Sequence, residues 1–169
     1  AFNQRIEELG EFELPNMVRD QRQFVTTSGK ANFVVHEITS IHVPQGCLLM
    51  MTIRSHDQFN TTVYTNNDRY RGIHGSRRVI FVNREDLRDL GLNKGQQVNI
   101  HSHWPNEKRQ TRTAEDFTLV QYDIPRGCAA AYYPETNDLI PLSSVADKSN
   151  TPAYKSVVIS LHKKTDHEN

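Results

Sequence analysis

The sequence has little of several features that mark specialised classes of protein. Its 20 basic and 20 acidic residues give a formal net charge of +0. The basic excess typical of nucleic-acid-binding and membrane-surface proteins is therefore missing. No run approaches the roughly 18 consecutive apolar residues of a membrane span, and the first residues lack the pattern of a signal peptide. We expect no nucleic-acid partner and no membrane association.

Cysteine and catalytic motifs are also scarce. The two cysteines, Cys47 and Cys128, are far apart and form no CxxC pattern. They cannot make an iron–sulfur or zinc site by themselves, so we expect reduced structural thiols, which fits a cytoplasmic location. The chain has no Gly-x-Ser-x-Gly elbow, no P-loop and no HExxH motif. We assign it no catalytic residue and no metal ligand.

What the sequence does contain is enough apolar residues, 36% of 169, for one domain with a buried core. Residues 1–23 are charged and lack clean periodicity, which predicts a connecting segment with a short helical turn near residues 4–9. The chain starts at Ala1 inside a polar stretch. That start fits a fragment of a longer protein, and a processed complete chain would look the same. Residues 163–169 are predicted to form a polar tail.

Short apolar, β-branched runs separated by turn residues dominate residues 24–162, and such runs predict strands. The predicted strands are 24–26, 31–35, 47–53, 79–82, 96–101, 118–122, 129–133 and 157–161. The continuous run 47–53 is typical of a strand buried on both faces. Many short strands around one core predict a closed barrel or a sandwich.

One short helix has clear boundary signals. Asn83 is a favourable N-cap, acidic residues including Asp86 follow in the first turn, and Gly91 can end the helix. Leu87 and Leu90 lie three residues apart and share one face, which should pack on the barrel. A glycine-containing turn then leads into the next predicted strand.

A polar loop, residues 54–62, directly follows the most hydrophobic predicted strand. Loops at strand ends often carry ligand-binding groups. Arg54 has the planar guanidinium suited to phosphate or carboxylate. Other residues supply amides and hydroxyls for a nucleotide's sugar and phosphates, or a ring for stacking: Ser55, Gln58, Phe59, Asn60 and Thr61. An ordinary solvated loop has a similar composition, so these residues alone leave both interpretations open.

Two further patterns are weaker. Residues 68–78 hold four arginines, a tyrosine and two glycines, which could follow a phosphate backbone. A solvated loop is the preferred interpretation because the chain has no basic excess.

His101 and His103 alternate, so on a strand they would face one side at a spacing that a metal could use. Without a third ligand nearby, structural histidines are the preferred interpretation.

Taken in order, several segments resemble the C-terminal dinucleotide-binding domain of molybdopterin oxidoreductases. The similar segments are 27–33, 54–61, 82–98, 124–127, 133–140 and 151–155. The resemblance runs from about residue 24 to about residue 161, and its details look closest to the formate dehydrogenase alpha-subunit-like branch. Residues 132–135 depart from what relatives often carry, so their contacts are not transferred.

The resemblance implies a mainly β fold, a six-stranded double-psi β-barrel with short helices, over residues 24–162. It also implies that the chain binds molybdopterin guanine dinucleotide in its bis form. Loop 54–61 would contact the guanine dinucleotide and its pyrophosphate, Asn137 would bind near the pterin end, and Tyr154 and Lys155 would complete the pocket. Asn137 would equally suit a turn. The implied site residues are Arg54, Ser55, His56, Gln58, Phe59, Asn60, Thr61, Asn137, Tyr154 and Lys155.

In this family the molybdenum ligand and any cluster cysteines belong to other domains. The partners implied are therefore the remaining catalytic domains of a parent oxidoreductase, and we do not expect the chain alone to turn over substrate. The alternative is a protein-interaction module, because double-psi barrels also serve as substrate adaptors of ATPases. A small RNA-binding barrel using the arginines of residues 68–78 is a third hypothesis, which salt-dependent RNA binding would test. Fold alone does not separate these hypotheses.

Overall fold

A computed structural model describes residues 2–38, 40–105 and 111–164. It divides the chain into two compact units, Ala1–Ser40 and Ile41–Asn169. Most of the predicted polar tail, residues 165–169, lies outside the described residues. Within the described ranges, no helix is both long enough and apolar enough to cross a membrane.

The first unit contains two short helices, α1 (Phe2–Leu9) and α2 (Met17–Gln21). Helix α1 confirms the helical turn predicted near residues 4–9, and neither helix contains a buried residue. The side chain of Asn16 caps α2 by accepting a hydrogen bond from the amide of Arg19 at 3.1 Å. An N-cap of this kind satisfies an amide that has no partner inside the helix.

The strands predicted at 24–26 and 31–35 are wrong, because no strand forms there in the described residues. Val25, Phe33 and Val35 are 94%, 100% and 96% exposed. β-Branched and aromatic residues favour a strand only where a neighbouring strand and a buried face receive them. The domain boundary predicted at residue 24 stays a prediction.

The second unit is a closed six-stranded barrel, and each strand overlaps a predicted one. The strands are β1 (Leu48–Ile53), β2 (Val79–Val82), β3 (Gln97–Ser102), β4 (Arg112–Gln121), β5 (Cys128–Tyr132) and β6 (Val157–Lys163). Their order around the barrel is β1-β5-β2-β4-β3-β6. The mainly β barrel with few short helices is confirmed.

The order of the strands shows two interlocked crossing connections. Consecutive strands β1 and β2 are separated in the barrel by β5, and β4 and β5 are separated by β2. Strands β1 and β5 are parallel, as are β2 and β4, and the remaining neighbours are antiparallel. Two such connections define the double-psi arrangement. The first of them, residues 54–78, crosses one end of the barrel.

The core fills the barrel interior with aliphatic and aromatic side chains. Phe117 and Met50 are among its largest fully buried side chains. All four residues of β2 are buried, because Phe81 packs in a second cluster with Ile73 and Tyr132. The expectation that the first barrel strand is buried on both faces is wrong, because Met51 is 49% exposed. Strand β1 alternates because its outer face is covered only in part.

Helix α3 (Arg84–Asp89) confirms the predicted helix and its boundaries. Asn83 caps it by accepting from the amide of Glu85 at 2.8 Å. Gly91, with a φ of 65°, follows the last turn in the left-handed conformation that glycine adopts at low cost. Leu87 is buried in the core. The carboxylate of Asp86 accepts from the amide of Gly127 at 2.7 Å, which fixes α3 to the start of β5.

Candidate functional site

The candidate site lies where β1 and β5 end. The two strands are parallel, and their register pairs Ile53 with Tyr132. The next residues, Arg54 and Tyr133, therefore emerge side by side at one edge of the barrel. The Nε of Arg54 donates to the hydroxyl of Tyr133, and its guanidinium carbon lies 5.9 Å from the centre of the ring. Strand pairing thus places the exposed guanidinium of Arg54 next to the ring and hydroxyl of Tyr133.

The segment that precedes β6 joins this edge through Thr52 of β1. The Thr52 hydroxyl donates to the backbone oxygen of Tyr154 at 3.1 Å, and the Nζ of Lys155 donates to the backbone oxygen of Thr52. The ammonium of Lys155 lies 5.3 Å from the Tyr154 ring centre and 5.9 Å from that of Tyr133. The two tyrosine rings are 6.0 Å apart. Two cations therefore flank a pair of tyrosines.

A cavity of about 330 Å³ opens beside these tyrosines. It is lined by Thr61, Tyr133, Asn137, Ile140, Pro141, Leu142, Ser144, Pro152 and Tyr154. Three sequence-predicted site residues, Thr61, Asn137 and Tyr154, thus meet in one wall. Aromatic and aliphatic walls with a few hydroxyl and amide groups are typical of small-molecule sites, whose volumes run from roughly 300 to 1,000 Å³.

Asn137 begins a short 3-10 helix (Asn137–Leu139) that forms one side of this cavity. Its amide donates to the backbone oxygen of Pro134 at 2.9 Å, so the residue also serves as the turn former considered above. The residue is exposed and lines the cavity. Both interpretations of Asn137 are therefore compatible with its position.

The rest of loop 54–61 divides into buried and exposed residues. Ser55 and Gln58 are 3% and 7% exposed. Ser55 accepts a hydrogen bond from Arg77, and Gln58 accepts one from Arg77 at 2.9 Å. Their side chains thus hold the loop together from inside. His56 and Phe59 are exposed and lie outside the set that lines the cavity.

Asn60 also lies in the exposed part of the loop and has a φ of 55°. Asparagine tolerates this left-handed conformation better than most residues. The turn sits between Phe59 and Val63, whose amides and carbonyls pair at 2.8 and 3.3 Å. The turn therefore brings Thr61 round to the cavity.

Sequence reasoning missed the residues that hold this loop: Tyr133, Arg77, Glu135 and Asp68. Arg77 and Asp68 are only 3% and 1% exposed, which is rare for charged residues and requires partners. The partners His56, Glu135 and Tyr132 lie 12 to 64 positions away from them in the sequence. The one available signal was the unusual stretch 132–135, which begins within the predicted strand 129–133 and continues past its end.

Asp68 is an acceptor for several groups at once. It accepts from the hydroxyl of Tyr132 at 2.8 Å, from the guanidinium of Arg71 at 2.6 Å and from the amide of His56 at 3.2 Å. Burial raises the pKa of the Asp68 carboxyl, but the bonds from Tyr132 and Arg71 outweigh that effect and hold the pKa below its usual value. The same burial and the same bond raise the pKa of Tyr132. The favoured protonation states are therefore an ionised Asp68 carboxylate and a neutral Tyr132 phenol.

Most arginines of the segment 68–78 form intramolecular contacts that stabilise the fold. Arg71 pairs with Asp68, and Arg77 pairs with Glu135 at 2.7 Å. Arg78 donates to the backbone oxygen of Glu115 at 2.6 Å. Guanidiniums engaged in this way are poorly placed to follow an external phosphate backbone, so the structure gives the RNA-binding hypothesis no support.

His101 of β3 and His103, the residue after β3 ends, both contact β6. The ring of His101 stacks on that of His162 at 4.1 Å, and the Nε2 of His103 lies 2.8 Å from the hydroxyl of Ser160. Burial, followed by the neighbouring His162 and His103, lowers the pKa of His101.

Among the described residues, no group of three or more histidines, cysteines or acids could hold a metal. Cys47 and Cys128 are free thiols.

The geometry of the site indicates a ligand-binding domain. A closed barrel with two cations and two tyrosines beside one cavity is suited to binding a ligand that combines anionic and planar groups. Residues 48–158 match the Molydopterin dinucleotide binding domain. The chain belongs to this family of binding domains.

Curated relatives include proteins that carry the name oxidoreductase. The chain is 46% identical over 162 residues to "Uncharacterized oxidoreductase Mb2924c" of Mycobacterium bovis, and the match covers 95% of this chain and 21% of that protein. It is 35% identical over 164 residues to "Protein YdeP" of Escherichia coli K12, again over 95% of this chain and 21% of that protein. The chain thus spans about a fifth of the length of these relatives.

A solved structure, acetylene hydratase from Pelobacter acetylenicus, has a TM-score of 0.48 and 12% sequence identity to this chain. The match covers 69% of this chain and 18% of that one.

Proposed function

We propose that this chain binds the dinucleotide part of a bis-molybdopterin guanine dinucleotide cofactor, as a domain of a longer formate dehydrogenase-like oxidoreductase. The family assignment supports a molybdopterin-type cofactor. We further propose that the nucleotide is guanine, that the cofactor is the bis form and that the parent enzyme is formate dehydrogenase-like. The proposed partners are the remaining catalytic domains, in a cytoplasmic enzyme.

The observation that carries the proposal is a cavity lined by Tyr133 and Tyr154, with the cations of Arg54 and Lys155 beside these two tyrosines. Phosphate groups of a dinucleotide need cations at the rim, and a planar base or pterin needs a flat wall. Arg54 can bind phosphate oxygens through its planar fork, whereas Lys155 acts as a point charge. The residues present therefore fit the group.

The proposed contacts follow from these positions. Arg54 and Lys155 would face the phosphates, the tyrosines would form the flat wall, and Thr61 and Asn137 would supply the hydroxyl and amide of the cavity. His56, Phe59 and Asn60 would contact the ligand from the exposed side of the loop, with Ser55 and Gln58 supporting it from below. When bound, the cofactor supplies the redox chemistry. This chain binds the cofactor, orients it and excludes water.

The proposal is tested on the full-length oxidoreductase that contains this chain. Molybdenum is measured by elemental analysis, and guanine is measured after acid hydrolysis. We expect a pair of guanines for each molybdenum, because a bis-dinucleotide cofactor carries one in each dinucleotide. A fully matured protein with neither molybdenum nor guanine would overturn the proposal and leave the adaptor function as the better explanation of the barrel.

The formate dehydrogenase context needs a separate measurement. Matured protein is assayed for formate oxidation with an artificial electron acceptor, alongside other small oxo-acids and aldehydes. Formate-dependent reduction of the acceptor would support the proposed context. A cofactor-loaded enzyme that is active only on another substrate would contradict that context and leave the binding role of this chain in place.

A further inference from the structure

Arg77 is a buried cation whose hydrogen bonds all end on residues near the candidate site. Its side chain is 2% exposed. One terminal nitrogen, Nη1, donates to the hydroxyl of Ser55. The other, Nη2, donates to the side-chain oxygen of Gln58 at 2.9 Å and to the backbone oxygen of Tyr133 at 2.9 Å. A single guanidinium therefore bonds both loop 54–61 and the segment that follows β5.

The position of this guanidinium is fixed by charge and by stacking. Glu135 accepts from its Nε at 2.7 Å and from its Nη2 at 3.2 Å, a paired contact that neutralises the buried charge. The rings of Tyr64 and Tyr132 lie 4.0 and 4.7 Å from its central carbon. Only arginine combines a planar fork with this kind of stacking, so lysine can keep the charge but not the set of bonds.

The residues bonded by Arg77 are next to those that face the cavity. Ser55 follows Arg54, Gln58 lies three residues before Thr61, and Tyr133 is itself part of the cavity wall. Gln58 also donates to the backbone oxygen of Tyr133 at 3.0 Å, which closes the network. Within this network, the guanidinium of Arg77 is the one charged group that bonds to both loop 54–61 and the segment 133–137.

We propose that Arg77 is a positioning residue, which holds loop 54–61 and the segment 133–137 in the arrangement that binds the dinucleotide. It acts through Ser55, Gln58 and Tyr133, with Glu135 as its counter-charge, and it does not touch the ligand. This inference rests on the proposed function, because the ligand is the one proposed above. Arg77 lies outside the site residues predicted from the sequence and outside the motif of residues 54–61.

The test compares Arg77→Lys with Arg78→Lys in the full-length oxidoreductase. Arg78 is the matched control, because it is the next residue, is exposed, and donates to Glu115 away from loop 54–61. Amide hydrogen exchange is followed in peptides covering 54–61 and in peptides from β3 and β4. Release of guanine nucleotide is followed at a temperature well below unfolding.

We expect Arg77→Lys to speed exchange in loop 54–61 and nucleotide release roughly tenfold each, the effect of losing a charge-assisted hydrogen bond. Exchange in β3 and β4 should stay at the wild-type rate, and Arg78→Lys should change neither quantity. Wild-type exchange in the loop with wild-type release would overturn the proposal. Faster exchange throughout the barrel would also overturn it, because Arg77 would then stabilise the whole fold.

Glu135→Gln provides a second variant if Arg77→Lys does not fold. It keeps an acceptor for Arg77 but removes the counter-charge, and we expect a smaller change in the same direction. The failure of this inference is distinguishable from the failure of the proposed function. If the wild-type protein holds no guanine nucleotide, the proposed function fails, while the exchange measurements still decide whether Arg77 orders the loop.

Discussion

The hydroxyl of Tyr132 donates to the carboxylate of Asp68 at 2.8 Å, across 64 positions of sequence. Tyr132 ends β5, and Asp68 lies in the connection from β1 to β2, so this bond ties the crossing connection to the barrel wall. The guanidinium of Arg71 and the amide of His56 donate to the same carboxylate. The region that carries the candidate site is therefore anchored by one buried acid.

Asp68→Asn is expected to lower the free energy of unfolding by about 2–3 kcal/mol at neutral pH, because charge-assisted bonds from Tyr132 and Arg71 are lost. The measurement is urea unfolding of the protein at pH 7. Asp57→Asn, a substitution at an exposed carboxylate in the same region, is the control and should change the free energy little. Equal effects of the two substitutions would contradict the anchoring role.

The same carboxylate should make stability depend on pH in the acid range. Its pKa in the folded protein is below the unfolded value of 3.8, so the unfolded state binds more protons as the pH falls through this region. The contribution is complete above pH 3.8 and is lost as the pH falls through the lower folded-state pKa. Unfolding measured between pH 6 and pH 2 should show a shallower acid loss for Asp68→Asn than for the wild-type protein.

His101 should make stability depend on pH in a higher range. Burial and the neighbouring His162 and His103 hold its pKa below 6.5, so the unfolded state binds a proton that the folded state resists. The free energy of unfolding should therefore fall as the pH drops from about 7 through 6.5 toward the folded-state pKa. His101→Gln should reduce that fall in urea unfolding at pH 7.5 and pH 5.5, whereas His74→Gln, at an exposed position, should leave it unchanged.

The N-cap of α3 can be tested by a single truncation. Asn83→Ala removes the acceptor for the amide of Glu85 and the donor to the backbone oxygen of Ile124 at 2.6 Å. The free energy of unfolding should fall by about 1–2 kcal/mol. Asn93→Ala, in the exposed turn after the helix, is the comparison. A loss no greater than that of Asn93→Ala would show that the cap is dispensable.

Local signals were sufficient for the barrel strands and for α3. The cap at Asn83, the acidic first turn and Gly91 act over a few residues, and each of the six strands contains closely spaced apolar residues. The first half of β4, residues 112–117, is more polar and was not predicted. The strands predicted at 24–26 and 31–35 fail because strand propensity needs a partner surface, and Phe33 is fully exposed. A linear pattern does not show whether such a surface exists.

The candidate site could be predicted only in part, for a similar reason. Arg54, Thr61, Asn137, Tyr154 and Lys155 were assigned by motif, and the structure brings them to one end of the barrel. The support beneath them depends on pairings between distant positions. These pairings follow from the parallel register of β1 and β5, which composition does not reveal. Ser55 and Gln58 illustrate the difference, since their polar side chains bond to buried Arg77.

The most direct measurement is the guanine content per molybdenum of the full-length protein that contains this chain, carrying Arg54→Ala and Lys155→Ala together. A deletion of the whole domain could lose cofactor through misfolding, whereas Arg54 and Lys155 are both exposed and can be substituted with the rest of the domain in place. Arg84→Ala with Lys94→Ala, two exposed cations on and after α3, is the matched control. Thermal unfolding of each variant confirms that the fold is kept.

If the two rim cations bind the dinucleotide phosphates, the Arg54→Ala and Lys155→Ala protein should lose guanine and molybdenum roughly tenfold faster on dialysis, with its unfolding temperature little changed. The control protein should retain both at the wild-type level. Retention of guanine and molybdenum at the wild-type rate in the rim variant would contradict the assignment of this cavity as the dinucleotide site.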